Sequence, residues 1–366
     1  MLQKIIFILV IFCFDRIYGL KQCEDCVFIS SCENAKSLED ATDDLTVQTF
    51  LNALCDFETV NDISRPKICC SEFDIITVRG GADEDKIANH NNSGLLPDEC
   101  GLIDPTVRIV GGTTANLYEY PWMTLLSFRQ KGTRKVDFNC GGTIINSRYI
   151  LTAAHCFDDQ RSQLIGVRVG EYEIGSKRDC QGVYDTVCES HIQDLRVTKV
   201  IPHENYNKFT KVNDIALIRT NTPIDFDHRN VKPICLPVSE ELRNKNLGGS
   251  TVEVAGWGRF TDGSPKRSKV LLKVDIPVWE EADCMNSIGG SDSEPLNILC
   301  AGKKGKDSCS GDSGGPLMAV AEYLDMNRMV QFGVVSRGPR ACGSEQPGIY
   351  TDLTKYMYWI LENIEE

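Results

Sequence analysis

The chain has 366 residues, 42% hydrophobic and 25% charged, with 17 cysteines and a formal net charge of −13. That balance is ordinary for a globular protein, and the length leaves room for more than one domain. The acidity is uneven, −11 in residues 20–108 against −3 in 109–366, which argues against nucleic acid or an anionic membrane as partner. The acidic part either steers the chain toward a basic protein surface or simply keeps a small domain soluble.

Residues 1–19 read as a secretory signal peptide: Lys4, an apolar run, Asp15 and Arg16, then a small residue at Gly19. The run is shorter than the roughly 20 apolar residues of a spanning helix, so a soluble extracellular protein is expected. Cys13 lies in that segment, and the sixteen cysteines beyond it form an even set. In an oxidising compartment this implies eight disulfides and no free thiol. Zinc on the closely spaced Cys23 and Cys26 is the competing reading, and secretion disfavours it.

Residues 20–70 contain six cysteines, and sequence alone leaves fifteen pairings open. So short a segment needs cross-links to hold a compact shape. Leu38, Leu45, Phe50, Leu51 and Leu54 suggest a short amphipathic helix, or a few buried anchors in a loop-rich fold. Residues 71–108 form a linker and activation segment, with Ser71 to Pro97 rich in Gly, Asp, Asn and Ser and expected to be flexible. Asn91-Asn92-Ser93 is an acceptor sequence for N-glycosylation of Asn91.

From residue 109 to 366 the pattern changes to short β-branched and aromatic runs at 143–145, 167–169, 215–218, 252–254 and 332–336, separated by turn residues. An all-β domain follows, with a closing helix from about Thr354 that packs Tyr358, Ile360, Leu361 and Ile364 partly against it. Three segments in this region carry chemistry: Leu151 to Cys156 around His155, Asn213 to Leu217 around Asp214, and Asp307 to Pro316 around Ser313. A serine hydroxyl is a weak nucleophile that needs an imidazole to take its proton and a carboxylate to fix the imidazole. Taken singly, His155 is a histidine beside a disulfide, Asp214 a turn acid and the glycine run a tight loop.

Together these segments resemble the trypsin/chymotrypsin-like serine proteases. The likeness extends through Arg108-Ile109-Val110-Gly111-Gly112, Pro121-Trp122, Ala255-Gly256-Trp257-Gly258 and Pro347-Gly348-Ile349-Tyr350-Thr351. The N-terminal cysteines resemble the clip domain of arthropod serine proteases, although only two residues separate Cys23 from Cys26. The resemblance implies two six-stranded antiparallel β-barrels with a catalytic crevice between them, preceded by a small disulfide-rich clip domain. It implies a Ser313, His155, Asp214 triad and an oxyanion hole built from the N–H groups of Gly311 and Ser313. Asp307 would lie at the base of the primary pocket, with Gly338 and Gly348 keeping its walls open, so that cleavage follows Arg or Lys. Gly338 follows Arg337 where the family usually has an aromatic residue, which bears on the subsites beyond the first.

The same resemblance implies a zymogen cut between Arg108 and Ile109, whose new α-amino group pairs with Asp312. It pairs the cysteines as Cys23–Cys69, Cys26–Cys55, Cys32–Cys70, Cys100–Cys235, Cys140–Cys156, Cys180–Cys188, Cys284–Cys300 and Cys309–Cys342. Cys100–Cys235 would keep the cleaved N-terminal part attached. The chemistry needs no cofactor. The acidic loop with Glu171, Glu173, Asp179, Asp185 and Glu189 offers oxygen ligands to a structural calcium ion, or is a solvated surface loop. The partners implied are a protein substrate such as a downstream zymogen or cytokine precursor, an upstream activating protease and a serpin-type inhibitor, in haemolymph. Immunity, melanisation and embryonic patterning are the implied pathways. A noncatalytic homologue acting as a cascade cofactor is the alternative, and intact Ser313 weighs against it; a digestive trypsin is disfavoured by the cysteine-rich domain.

Overall fold

A computed structural model describes residues 23, 26–28, 31–32, 53–60, 63–70, 87, 89–103, 114–182, 186–259, 267–288, 297–304, 311–339 and 344–366. The chain divides into two compact units, Met1–Lys86 and Ile87–Glu366. The first contains a three-stranded antiparallel sheet in which β1 (Cys26–Phe28) and β2 (Leu54–Val60) flank β3 (Ile63–Cys69). Among the described residues its buried apolar cluster is Cys32, Ala53 and Ile68. Three disulfides, Cys23–Cys69, Cys26–Cys55 and Cys32–Cys70, cross-link this short segment. Leu54 opens a strand rather than closing a helix, and Leu38, Leu45, Phe50 and Leu51 lie outside the described residues.

The second unit is built from two sheets. The first joins β4 (Met123–Gln130), β5 (Val136–Ile144), β6 (Tyr149–Thr152), β7 (Ser162–Val169), β10 (Gln193–Leu195), β11 (Val197–Pro202) and β12 (Ala216–Thr220). Its order is β10-β7-β4-β5-β6-β12-β11. The two edge strands are neighbours in sequence, parted only at Arg196, so one bent stretch pairs with β7 at one end and β12 at the other. The sheet therefore closes on itself as a six-stranded barrel, which removes both free edges. Tyr149, Ile150 and Leu151 of β6 and Leu217 and Ile218 of β12 are fully buried in its core.

The second sheet joins β13 (Thr251–Gly256), β14 (Leu272–Pro277), β15 (Ile298–Ala301), β16 (Pro316–Tyr323), β17 (Met326–Arg337) and β18 (Gly348–Asp352) in the order β14-β13-β16-β17-β18-β15. A bridge between Val278, just past β14, and Ala301 at the end of β15 brings its edges together. Val252, Leu317, Val330, Phe332 and Tyr350 fill this second core. A short hairpin of β8 (Asp179–Gln181) and β9 (Val187–Glu189), bridged by Cys180–Cys188, projects between β7 and β10 in the chain.

Among the described residues of the unit, the α-helices are α1 (Glu240–Arg243), α2 (Glu281–Ile288) and α3 (Met357–Asn363). In α3 and the residue after it, Met357, Ile360, Leu361 and Ile364 are buried, the spacing of one helical face. Tyr358 falls off that stripe and is 43% exposed, edge-on to His90, while Trp359 takes the buried place on its other side. Composition marks residues up to Pro97 as linker, yet Ile87 and Leu96 enter the barrel core. Asn92 Nδ2 donates to the carbonyls of Leu361 (3.0 Å) and Ile364 (2.9 Å), satisfying the end of α3. His90 meets Glu362 at 2.9 Å, and Cys100–Cys235 with the backbone bonds of Gly101 to Pro233 and Met329 fastens the rest. A side chain that looks like loop composition thus acts as a helix cap.

Candidate active site

His155 lies on the turn of 3₁₀-helix Ala154–Phe157 that follows β6. Asp214 precedes β12, the strand that pairs with β6, so the sheet register sets the two side by side. The His155 backbone N–H donates to Asp214 Oδ1 at 2.8 Å, and ring Nδ1 lies 2.7 Å from Oδ2. Asp214 is fully buried, and Ser336 Oγ at the end of β17 donates to Oδ2 at 2.6 Å. Thr351 Oγ1 of β18 donates to the Asp214 carbonyl at 2.8 Å. The second barrel therefore buttresses an acid carried by the first. Burial would raise the Asp214 pKa, but the bonds from His155 and Ser336 outweigh it and hold the carboxyl below its ordinary value.

A carboxylate can only accept, so Nδ1 carries the proton and Nε2 is the free base of the imidazole. Asn213, just before the acid, has φ 57°, a conformation asparagine tolerates, and its Oδ1 accepts from Tyr356 Oη at 2.7 Å. Ser336, Thr351 and Tyr356 have no local signal in the sequence. They lie more than 100 residues from Asp214 and act only because β17, β18 and the turn before α3 bring them here.

The Ser313 loop is fixed from both barrels. The Ser313 carbonyl accepts from Gly141 N–H at 2.8 Å, and Gly314 N–H donates to Val335 O at 2.9 Å. Gly141 follows Cys140, whose disulfide partner Cys156 follows His155, and Cys156 Sγ is 4.0 Å from the Ser313 carbonyl oxygen. Gly314 has φ +80°, and a Cβ there would come within 2.2 Å of Thr152 Oγ1 and 2.6 Å of the Gly141 carbonyl oxygen. Gly311 has φ +113°, which only glycine adopts readily. The Asp312 carboxylate lies against Gly256 and Gly258 and accepts from the Gly258 N–H at 2.7 Å. Any side chain at either glycine would meet it, which gives the Ala255-Gly256-Trp257-Gly258 segment its physical reason.

The trypsin family pattern matches residues 109–360. CLIP domain-containing serine protease HP8 of Bombyx mori is 40% identical over 324 residues, 85% of this chain and 83% of that one. Serine protease grass of Drosophila melanogaster is 37% identical over 308 residues, 81% and 79% of the two chains. A crystal structure of Drosophila Grass clip serine protease superposes with a TM-score of 0.64 at 32% identity, covering 92% of this chain and 93% of that one. The chain belongs to the clip-domain serine proteases of the trypsin family.

In this clip-domain protease the remaining site residues divide cleanly. Gly348 is buried, paired with Ala301 across β18 and β15, and Gly338 is exposed just past β17. Asp307, Arg108, Ile109, Cys309, Cys342 and Asp185 lie outside the described residues. Cys284–Cys300 ties α2 to β15. Asn91 is exposed, so its side chain is accessible. Arg337, beside Gly338, is pushed down by burial, while the Asp214 charge pulls it up.

The acidic hairpin resolves into separate roles. Glu171 is buried, accepting from Arg168 Nη1 (3.1 Å) and Tyr172 N–H (3.2 Å). Asp179, also buried, accepts the Glu173 N–H on Oδ2 at 3.3 Å and leaves Oδ1 with no partner. Burial pushes the Glu171 carboxyl up; Arg168 opposes this and the neighbouring Asp179 charge adds to it. An orphaned buried carboxylate oxygen beside a second buried acid suits a hard cation. Glu189 is engaged elsewhere, with Oε1 accepting from Ser190 N–H (2.7 Å) and His191 N–H (2.8 Å) and Oε2 from Tyr118 Oη (3.5 Å).

Proposed function

We propose that this protein is the zymogen of a trypsin-like serine endopeptidase, cleaving after Arg or Lys in an extracellular cascade of innate immunity, melanisation or Toll-type signalling. The observation that carries the reading is the buried Asp214 carboxylate bonded to His155, with the Ser313 loop tied to the Cys140–Cys156 bridge beside that histidine. The description of the Grass structure as a clip serine protease of the Toll pathway supports the cascade. In this reading Asp214 holds the Nδ1 proton, so Nε2 takes the Ser313 proton as Oγ attacks the scissile carbonyl. His155 then returns it to the leaving amine, and water repeats the sequence on the acyl-enzyme. The N–H groups of Gly311 and Ser313 meet the developing oxyanion, each such donor being worth about 3–4 kcal/mol of barrier.

Asp307 supplies the carboxylate for a cationic side chain, with Gly338 and Gly348 at the pocket walls. Cleavage after Arg108 frees the Ile109 amine to pair with Asp312, which sets the Gly311 loop. The partners in this reading are an upstream protease that accepts Arg, a protein substrate and a serpin-type inhibitor. Once cut after Arg108, the protein should hydrolyse peptidyl-arginine amides and take up a fluorophosphonate label, and uncut protein and Ser313→Ala should do neither. Correctly cut protein that takes no label would sink the enzyme reading and leave the noncatalytic cofactor.

Glu171 and Asp179 would hold a calcium ion through oxygen ligands, a structural role outside the acyl chemistry. Millimolar calcium should raise the Tm of the uncut protein by about 2–4 °C, and Asp179→Asn should abolish that rise. A Tm of the parent protein indifferent to calcium overturns the assignment.

A further inference from the structure

The segment leading into β10 and the connection after β12 meet on the first barrel, and they bring together two imidazoles and a carboxylate that the acyl chemistry does not use. His191 and His228 stack face to face, with ring centroids 3.4 Å apart and planes 10° from parallel. One ligand-type atom from each of His191, Asp225 and His228 lies within 4.8 Å of the other two. His191 Nε2 is buried and has no hydrogen-bond partner. Buried polar atoms are paired in nearly all native structures, so an orphaned imidazole nitrogen in a side chain clustered with other ligand-type groups calls for an occupant. The other clusters of this kind among the described residues consist of disulfide-bonded cysteines, with or without His155.

We propose that His191, Asp225 and His228 bind one zinc ion, with a fourth coordination position open to solvent on the exposed Asp225 side. Two neutral imidazoles and one carboxylate are a nitrogen-rich set that suits a borderline divalent ion, whereas calcium and magnesium require oxygen ligands. Zinc–nitrogen bonds of about 2.0–2.1 Å in a tetrahedral site would separate two ligating nitrogens by roughly 3.3 Å, within the 4.8 Å that already spans the ligand-type atoms of the three side chains. The rings must splay for both lone pairs to converge on one ion.

The backbone around the three ligands is already held by bonds that use none of the imidazole nitrogens. Gln193 clasps Asp225 in both directions, donating from Nε2 to its carbonyl (2.8 Å) and accepting its N–H on Oε1 (2.9 Å). Asn230 Nδ2 donates to the His191 carbonyl at 2.6 Å and to the Gly170 carbonyl at 3.0 Å. Asp227 N–H donates to Asp225 Oδ1 at 2.9 Å, which orients that carboxylate. Such outer bonds are what keeps first ligands in place in metal sites. Because Glu189 caps the His191 N–H, an ion bound here links the connection after β12 to the Cys180–Cys188 hairpin. The site is separate from the carboxylates of Glu171 and Asp179, which carry no nitrogen ligand.

The test is calorimetric titration of zinc into the full-length uncut protein, purified without a polyhistidine tag, alongside His228→Gln and Asp225→Asn. One zinc ion should bind the parent, and each variant should bind it at least about tenfold more weakly, the scale of loss for disturbed metal sites. Cobalt(II) should give the parent a visible band of low-symmetry coordination that His228→Gln lacks. Calcium should leave the zinc isotherm unchanged. A parent that takes up no zinc, or variants that bind zinc as the parent does, would overturn the proposal. Because uncut protein is used, neither result depends on whether Ser313 is active.

Discussion

Asp214 keeps a negative charge in a fully buried position, and three hydrogen bonds offset the loss of water: two from His155 and one from Ser336 Oγ. Since these outweigh burial, the folded-state pKa lies below the unfolded value of about 3.9. The resulting stabilisation is complete above the unfolded value and is lost as pH falls through the folded one. Ser336→Ala removes one donor, so it should cost about 1.5–3 kcal/mol at neutral pH and move the onset of acid unfolding to higher pH. Urea midpoints measured from neutral to acid pH check this; an acid limb superimposable on the parent's would show that Ser336 does not hold the acid. At this scale the His155, Asp214 and Ser313 segments are legible because each is a local motif. Ser336 is not, because a lone serine at the end of a strand carries no mark of what lies across the barrel.

The joins between elements turn on a few side chains whose neighbours in space are far away in sequence. Asn92 is the middle residue of a glycosylation acceptor, yet its amide closes the end of α3, 269 and 272 residues further along. Asn92→Ala leaves that acceptor sequence intact and removes two partly buried bonds, and it should cost about 1–2 kcal/mol. A chemical-denaturation midpoint equal to the parent's would show that water replaces the cap without loss. The β-branched and aromatic runs at 143–145, 167–169, 215–218, 252–254 and 332–336 overlap β5, β7, β12, β13 and β17, because such residues concentrate where a strand is buried over a few consecutive positions. Those runs leave the other barrel strands unmarked. Closure of the first barrel is not marked: β10 and β11 look like one strand, and the break at Arg196 is defined only by their two partners. Tyr358 illustrates the converse, an aromatic residue placed one position off the buried stripe of its helix.

For the whole molecule, the segment 89–103 belongs to the same unit as the barrels, and Cys100–Cys235 links it covalently at a sequence separation of 135. Cleavage after Arg108 should therefore leave one species on a denaturing gel without reductant and two with it. Changing both cysteines to serine should give two species under either condition, and release of the N-terminal part from the parent without reductant would contradict the linkage. The first unit depends on its three disulfides in a different way. Among the described residues its three strands are short, and the cross-links restrict the unfolded chain so that the sheet persists.

Sequence by itself determined the class of the chain: the Gly-Asp-Ser-Gly-Gly-Pro run, the His155 and Asp214 segments and the cysteine-dense first unit each depend on residues close along the chain. Local backbone conformation, turn chemistry and strand alternation are short-range effects, so they are written where they act. Tertiary structure alone decided which side chains support Asp214, how the first barrel closes, that Asn92 ends a helix, and that His191, Asp225 and His228 share one place. Those arrangements follow from strand register and long-range packing, where residues tens to hundreds of positions apart meet only after both cores have formed.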